Sequence, residues 1–486
     1  MKTKINLEKV LKYRPLFING EWVEPTGGKT AEDTNPATGE VNVKYALAAK
    51  EDVDKAVEVA QKAYDDFWYD TTVAERADLL YKVADMIDAH GDEFAYLESI
   101  DAGKPISNAK DEIPLISDTF RYFAGVARNP EGKSAQEYQA GVTSMIRREP
   151  LGVTAGICPW NYPMLMMAWK AAPALAAGNT SIIKPASETP LTTLYFAELV
   201  SEILPAGVFN VITGSGAVLG DAICEHPGIR FVSMTGSTET GRRIASTSAN
   251  TLKRVHLELG GKAPVIVFAD ADIDAFIENL RGGAFANSGQ DCGQPCRILA
   301  AKEVYDEVVE RLAKAAEEVG VGDPADPETE MGPVVSAKQC EAVSGFVERA
   351  VKEGGVIRAG GKKLEGAGAF YMPTVVADVD QKSEIVQNEV FGPVITVQPF
   401  ETEEQALQMA NDVIYGLSAS VWTEDTKRAL RMSRKLEFGT VWVNIHFVQP
   451  MEMPWGGYKQ SGYGKDMSGY AFEDYTQIKH VGIAFE

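Results

Sequence analysis

Residues 152–184 read GVTAGICPWNYPMLMMAWKAAPALAAGNTSIIK, and their pattern decides the fold class. The apolar run 152–157 has strand length, 168–177 is helical, and 180–183 is a second short strand. The stretch 152–178 is the most apolar of the chain, yet it contains Asn161, Lys170 and three prolines. A membrane span needs ~20 largely uninterrupted apolar residues, so this is a buried βα unit. Working outward, a helix follows Pro190, then a strand at 208–213, a helix to about residue 225 and a strand at 229–234. Alternation of this length predicts a parallel sheet with helices on both faces, an α/β fold. A second series starts with a strand at 265–268 and continues with helices near 304–319 and 338–352. Upstream, 16–18 and 22–23 flank Asn19-Gly20, which predicts a hairpin. Val53, Val57, Ala60, Tyr64 and Phe67 share one helical face, and Leu79, Val83 and Ile87 fall in step within a helix over 73–99. The Gly- and Lys-rich stretch 354–368 reads as a surface loop.

The whole chain has 486 residues, enough for two or three domains at ~150 residues each. Lys and Arg total 47 against 69 Asp and Glu, a formal charge of −22. That excess repels phosphate backbones and anionic membranes, so neither nucleic acid nor membrane is an expected partner. Five cysteines, Cys158, Cys224, Cys292, Cys296 and Cys340, are too few and of the wrong parity for a secreted disulfide scaffold. The opening MKTKINLEKVLKYRP scatters charge and has no apolar segment of signal-peptide length. The expectation is a soluble, cytoplasmic protein.

Three short stretches could carry chemistry. Residues 233–241, SMTGSTETG, leave a strand, pass a Gly-Ser turn and enter a helix, where free backbone N–H groups can hold a phosphate. The same residues also serve plain capping. Residues 285–296, FANSGQDCGQPC, place Cys292 among small residues that let a carbonyl approach its sulfur. A lone cysteine is more often a small buried hydrophobe, and no second Cys/His pair stands at metal-ligand spacing. Residues 255–262, VHLELGGK, alternate so that Glu258 opposes Val255, Leu257 and Leu259 just before a Gly-Gly turn. A carboxylate there can act as a general base, although most such residues are solvated.

Taken together, these stretches resemble one family, the NAD(P)-dependent aldehyde dehydrogenases. The resemblance covers almost the whole chain. It includes 159–163 (PWNYP), 236–241 (GSTETG), 257–262 (LELGGK), 289–292 (GQDC), 389–393 (EVFGP) and 454–462 (PWGGYKQSG). It implies that Cys292 attacks the aldehyde carbon and that the Asn161 amide and the Cys292 N–H stabilise the oxyanion. Hydride then passes to the nicotinamide, and Glu258 activates the water that hydrolyses the thioester; no step needs a metal. The cofactor, NAD or NADP, would contact Trp160, Lys184, Ser187, Gly236, Ser237, Glu389 and Phe391. At Ser187 the chain departs from NAD-preferring relatives, which carry Glu there to repel a 2′-phosphate; Glu188 stands one residue later.

The family fold implies a Rossmann-type cofactor domain over 1–130 and 151–258 and an α/β catalytic domain over 259–464. A small β arm over 131–150 and 465–486 would make a homodimer or homotetramer. The ending 461–476 resembles the aminoaldehyde branch, notably γ-aminobutyraldehyde and betaine aldehyde dehydrogenases. Tyr162, Trp169 and Trp455 map onto its aromatic pocket, where ring faces attract ammonium groups. Glu112, or neighbouring Asp111, matches the region of its amine-facing carboxylates, unless both lie on a solvated helix face. In plant relatives a small residue at the place of Thr440 admits a trimethylated head and Ile excludes it; Thr440, β-branched yet smaller than Ile, implies that betaine aldehyde is accepted, less efficiently than γ-aminobutyraldehyde. The alternatives are a succinate-semialdehyde or general aliphatic aldehyde dehydrogenase and, more remotely, a non-catalytic scaffold with this fold. Glu258 disfavours a CoA-acylating relative, which lacks that base.

Overall fold

The computed structural model describes residues 5–130, 132 and 134–486. Residues 1–4, 131 and 133, parts of the expected cofactor domain and arm, lie outside the described residues. Val153–Ile157, the strand that opens the quoted stretch, sits inside an eight-stranded sheet. Across that sheet the order is Glu21–Val23, Leu16–Ile18, Phe209–Val211, Thr180–Lys184, Val153–Ile157, Ile229–Gly236, Arg254–Leu259 and Gly462–Tyr463. The five strands from Phe209–Val211 to Arg254–Leu259 run parallel, and the hairpin and Gly462–Tyr463 flank them antiparallel. The helix Pro163–Ala177 starts with its proline in the first turn and ends at left-handed Gly178. It is buried on nearly every side, as a helix without a polar face must be.

A second sheet of seven strands holds Pro264–Val267, Arg297–Ala301, Thr374–Ala377, Val394–Phe400, Ser418–Trp422 and Thr440–Val443 in parallel. Its seventh strand, Val356–Ala359, pairs antiparallel with Thr374–Ala377. This corrects the expectation of a loop over 354–368: three of its four residues face solvent, so no apolar alternation marks it. A third sheet pairs Thr476–Ala484 with Val142–Pro150 and Val142–Pro150 with Ala135–Gln139, all antiparallel. Tyr138, Ile478 and Phe485 stand exposed on this arm.

Two helix readings also change. Lys50–Ala63 continues into a π-turn at Tyr64–Trp68, and the extra residue per turn swings Trp68 into the core while Phe67 faces out. The helix expected over 73–99 is two, Val73–Ala89 and Gly91–Ala102, broken at His90. Ile106–Arg128, a helix with Pro114 inside it, carries Glu112 on its buried side and leaves Asp111 exposed.

A candidate active site between the two sheets

Cys292 ends a loop held in a costly conformation. Asn287, Ser288 and Gly289 are consecutively left-handed, with φ of 48°, 57° and 68°. Non-glycine residues adopt that region only when their surroundings impose it. Here Ser288 Oγ donates to the Gly332 and Pro333 carbonyls, and the Gln290 side chain bridges Asn287 O and Val335 N. The Asn161 Nδ2 donates to the Gln290 carbonyl at 3.0 Å, while Asn287 Nδ2 donates to the Asn161 carbonyl at 2.8 Å. The asparagine and the cysteine loop, 129 residues apart, are therefore joined directly. On the far side, Asp291 Oδ1 accepts from Gly293 N–H, and His446 Nε2 donates to the Gly293 carbonyl at 2.9 Å. Burial lowers the His446 pKa to about 4, so the ring is neutral and Nδ1 accepts from Ser420.

Glu258 reaches the same place from the first sheet. The alternation of its strand sends Leu257 and Leu259 into the core and turns Glu258 the other way, where it is fully buried. The Gly-Gly turn then brings the two sheets into contact. A Cβ on Gly261 would stand 2.0 Å from the Cys292 carbonyl oxygen, so only glycine fits there. Gly261 N–H donates to Glu389 Oε1 at 2.9 Å.

The electrostatics are those of carboxylates starved of water. Burial, reinforced by Asp466, pushes Glu258 up to about 8, against the pull of Lys170, Cys292 and Trp455. Burial likewise pushes Glu389 up to about 7. The Cys292 thiol is raised well above its ordinary range by burial and then by Glu258, Asp291 and Glu389. The resting sulfur thus keeps its proton, and a neighbouring base must take it. Behind Glu258, Lys170 Nζ donates to Thr235 Oγ1 at 2.7 Å and lies 3.7 Å from Asp466 Oδ2. Lys170 and Asp466 have no assigned role in the sequence reading. A lone lysine inside MLMMAWKAAPALAA was the available signal.

Cys292 and Glu258 face a cavity of about 1230 Å³. Of the residues singled out from the sequence, Asn161, Trp160, Lys184, Ser187, Gly236, Ser237, Glu389, Phe391, Tyr162, Trp169, Trp455 and Glu112 line it, and Asp111, the alternative to Glu112, does not. Thr440 does not line it; it begins a second-sheet strand paired with Ser418. Tyr162, Trp169, Trp442, Trp455 and Phe447 pack with Met166, Met451 and Met467 around Cys292. Elsewhere on the wall, Ser237 caps the helix Thr238–Ser248 by accepting from Thr240 N–H. The Trp160 and Phe391 rings meet edge to face at 5.0 Å. Ser187 Oγ donates to the Gly214 carbonyl, and Tyr45 OH donates to the Ser187 carbonyl.

Glu112 is not on a solvated face. It accepts from Lys104 Nζ at 2.6 Å, and Glu98 accepts from the same ammonium at 3.2 Å. Lys104 sits 4.4 Å from the centre of the Tyr162 ring, whose hydroxyl donates to Asp291 Oδ2. Burial pushes Glu112 up to about 7 despite Lys104.

The family model for the aldehyde dehydrogenases matches residues 22–481. The chain belongs to the aldehyde dehydrogenase family. It is an NAD(P)-dependent oxidoreductase acting on aldehydes, with the family's α/β fold. Retinaldehyde dehydrogenase 3 of Rattus norvegicus is 41% identical over 486 residues, 99% of this chain and 94% of that one. Betaine aldehyde dehydrogenase of Bacillus subtilis is 38% identical over 472 residues, 96% of each chain. The NAD+ complex of an aldehyde dehydrogenase from Bacillus cereus superimposes with a TM-score of 0.97 at 41% identity, covering all of both chains. Relatives named for an apolar and for a cationic aldehyde thus match almost equally, and overall identity does not choose between them.

The cavity wall fits the dinucleotide. Lys184 is buried, yet its ammonium donates only to the Pro185 carbonyl among the described residues, leaving donors for hydroxyl groups. Ser237 opens an exposed helix N-terminus of the kind that holds phosphate oxygens.

Proposed function

We propose that this aldehyde dehydrogenase oxidises small aldehydes with a cationic head, such as γ-aminobutyraldehyde or betaine aldehyde, to their carboxylic acids. The charge of the cavity wall carries this reading. Glu112, Glu278 and Asp291 line it with the aromatic cluster, whereas Lys184, on the cofactor's side, is the sole lysine or arginine lining it among the described residues. An anionic semialdehyde would find no cation beside the aromatic rings: Lys104 is buried behind Tyr162 and bridged to two carboxylates. Leu115, Leu165 and the methionines favour an uncharged aliphatic aldehyde as the second reading.

In the proposed reaction the Cys292 sulfur adds to the aldehyde carbon after Glu258 accepts its proton. One Asn161 side-chain hydrogen is engaged by the Gln290 carbonyl, which orients the amide and leaves its second hydrogen for the oxyanion beside the Cys292 N–H. Lys184, Ser187, Gly236, Ser237, Glu389, Trp160 and Phe391 would hold the dinucleotide, which when bound accepts the hydride. Once the thiol proton has passed on to solvent, Glu258 takes a proton from the water that hydrolyses the thioester, with Lys170 and Asp466 as its polar neighbours. The first sheet with 1–130 and 151–258 serves as cofactor domain and the second, within 259–464, as catalytic domain. The exposed three-stranded arm supports the homodimer or homotetramer expected from the sequence.

Betaine aldehyde against hexanal tests the substrate class, because neither head titrates. Glu112 ionises as pH rises through about 7. The KM for betaine aldehyde should therefore fall from pH 6 to pH 8 by about threefold to tenfold, and that for hexanal should not follow. Equal catalytic efficiencies with parallel pH dependence would remove the cationic assignment. For the cofactor, Ser187→Glu should lower NADP-linked activity at least about tenfold more than NAD-linked activity, since it sets a carboxylate against the 2′-phosphate. Equal losses with both cofactors would mean that residue 187 does not face the ribose.

A further inference from the structure

We propose that Trp455 is a positioning residue for Glu258, its indole N–H fixing the carboxyl group in the orientation from which it serves Cys292. The inference rests on the reading that Cys292 and Glu258 carry the chemistry. In that reading Trp455 offers only a ring face to the substrate. The structure gives its other edge a partner: Nε1 donates to Glu258 Oε1 at 3.2 Å, with both residues buried. Glu258 Oε2 has no hydrogen-bond partner among the described residues, and the indole joins the Cys292 thiol itself in holding the carboxyl group. Trp169 shows the contrast. It lines the same cavity, but its indole N–H is buried without a partner among the described residues.

Trp455 is itself held rigidly. Its backbone N–H donates to the Asp466 carbonyl at 2.9 Å, and the Asp466 backbone N–H returns a bond to the Trp455 carbonyl at 2.8 Å. Its ring stacks on Trp442 with centres 6.2 Å apart. This two-way bridge ties the Trp455 backbone to that of Asp466, whose carboxyl group opposes ionisation of Glu258 most strongly after burial itself. The charged or titratable groups acting on Glu258 are thus Asp466 from the C-terminal segment, Lys170 from the helix Pro163–Ala177 and Cys292 from its loop. Among them the indole supplies a neutral donor. A hydrogen bond donated to a carboxylate favours its charged form, the form a general base needs. The same ring that would receive a cationic head thereby touches the base, so substrate recognition and hydrolysis share one side chain.

Trp455→Phe separates the two roles, because it keeps an aromatic face and removes the donor. Under conditions where hydrolysis of the thioester limits turnover, the midpoint of the kcat–pH profile should move upward by about one unit, a tenfold loss at pH 7. The KM for betaine aldehyde should change far less than kcat. In a Glu258→Gln background the same substitution should change kcat by less than about twofold, because its route of action is gone. An unmoved midpoint, or an equal loss of kcat in both backgrounds, overturns the inference. A Cys292→Ala enzyme that still turns over would instead overturn the underlying reading, so the two failures are distinct.

Discussion

Cys292→Ala is expected to lose about 10⁴-fold or more in kcat, the scale on which removal of a nucleophile acts. The substitution leaves the loop intact. Its left-handed turn is held by Ser288, Gln290 and Asn287, and the cysteine side chain faces a cavity and is only partly buried. Binding of NAD(P), followed by titration calorimetry, should therefore persist at near wild-type affinity. The thermal midpoint should stay close to that of the wild type. Cys296, buried just before the strand Arg297–Ala301, should be replaceable by alanine without loss of kcat. Turnover surviving in Cys292→Ala would move the covalent step to another residue; Cys158 is the other cysteine lining the cavity among the described residues, and burial pushes its thiol up to about 12.

Glu258→Gln carries the second large effect, a loss of about 10²- to 10⁴-fold in steady-state turnover. The amide oxygen can still accept from the Trp455 indole, so the side chain keeps its place. The effect should fall on hydrolysis: stopped flow should show a burst of reduced cofactor close to enzyme stoichiometry, followed by slow release. The burst is the discriminating observation. If it disappears together with turnover, Glu258 acts mainly by taking the proton from Cys292. Burial and the carboxylates around it hold the thiol well above its ordinary range, so loss of this proton acceptor should slow the burst without reducing its size unless that second duty dominates.

Much of this site was legible before any coordinates. Alternating apolar runs marked the parallel strands, because strands buried on both faces must be continuously apolar. Glu258 was marked by its phase against Leu257 and Leu259, and Cys292 by the small residues around it. The motifs at 236–241 and 257–262 fell where strand ends meet turns, as they should. Other features had no local signal. The pairing of Lys104 with Glu98 and Glu112 depends on how two helices dock, and no helical spacing announces it. Phe67 and Trp68 exchanged sides because one additional residue entered a turn, which hydrophobic periodicity cannot register. Asp466 joined the site through tertiary contacts alone, its carboxyl beside Lys170 and its backbone bridged to Trp455.

One consequence follows from the contact between Gly261 and the Cys292 carbonyl. The base rides on one sheet and the sulfur on the other, and bare backbone sets the gap between them. A slight parting of the two sheets would leave every strand, helix and side chain whole and still take the proton acceptor out of reach. Catalysis should therefore be a stricter gauge of nativeness than any spectrum of secondary structure. As urea is raised, hydrolysis should fade while ellipticity is still intact, marking a molecule that is folded in both halves and idle at the seam.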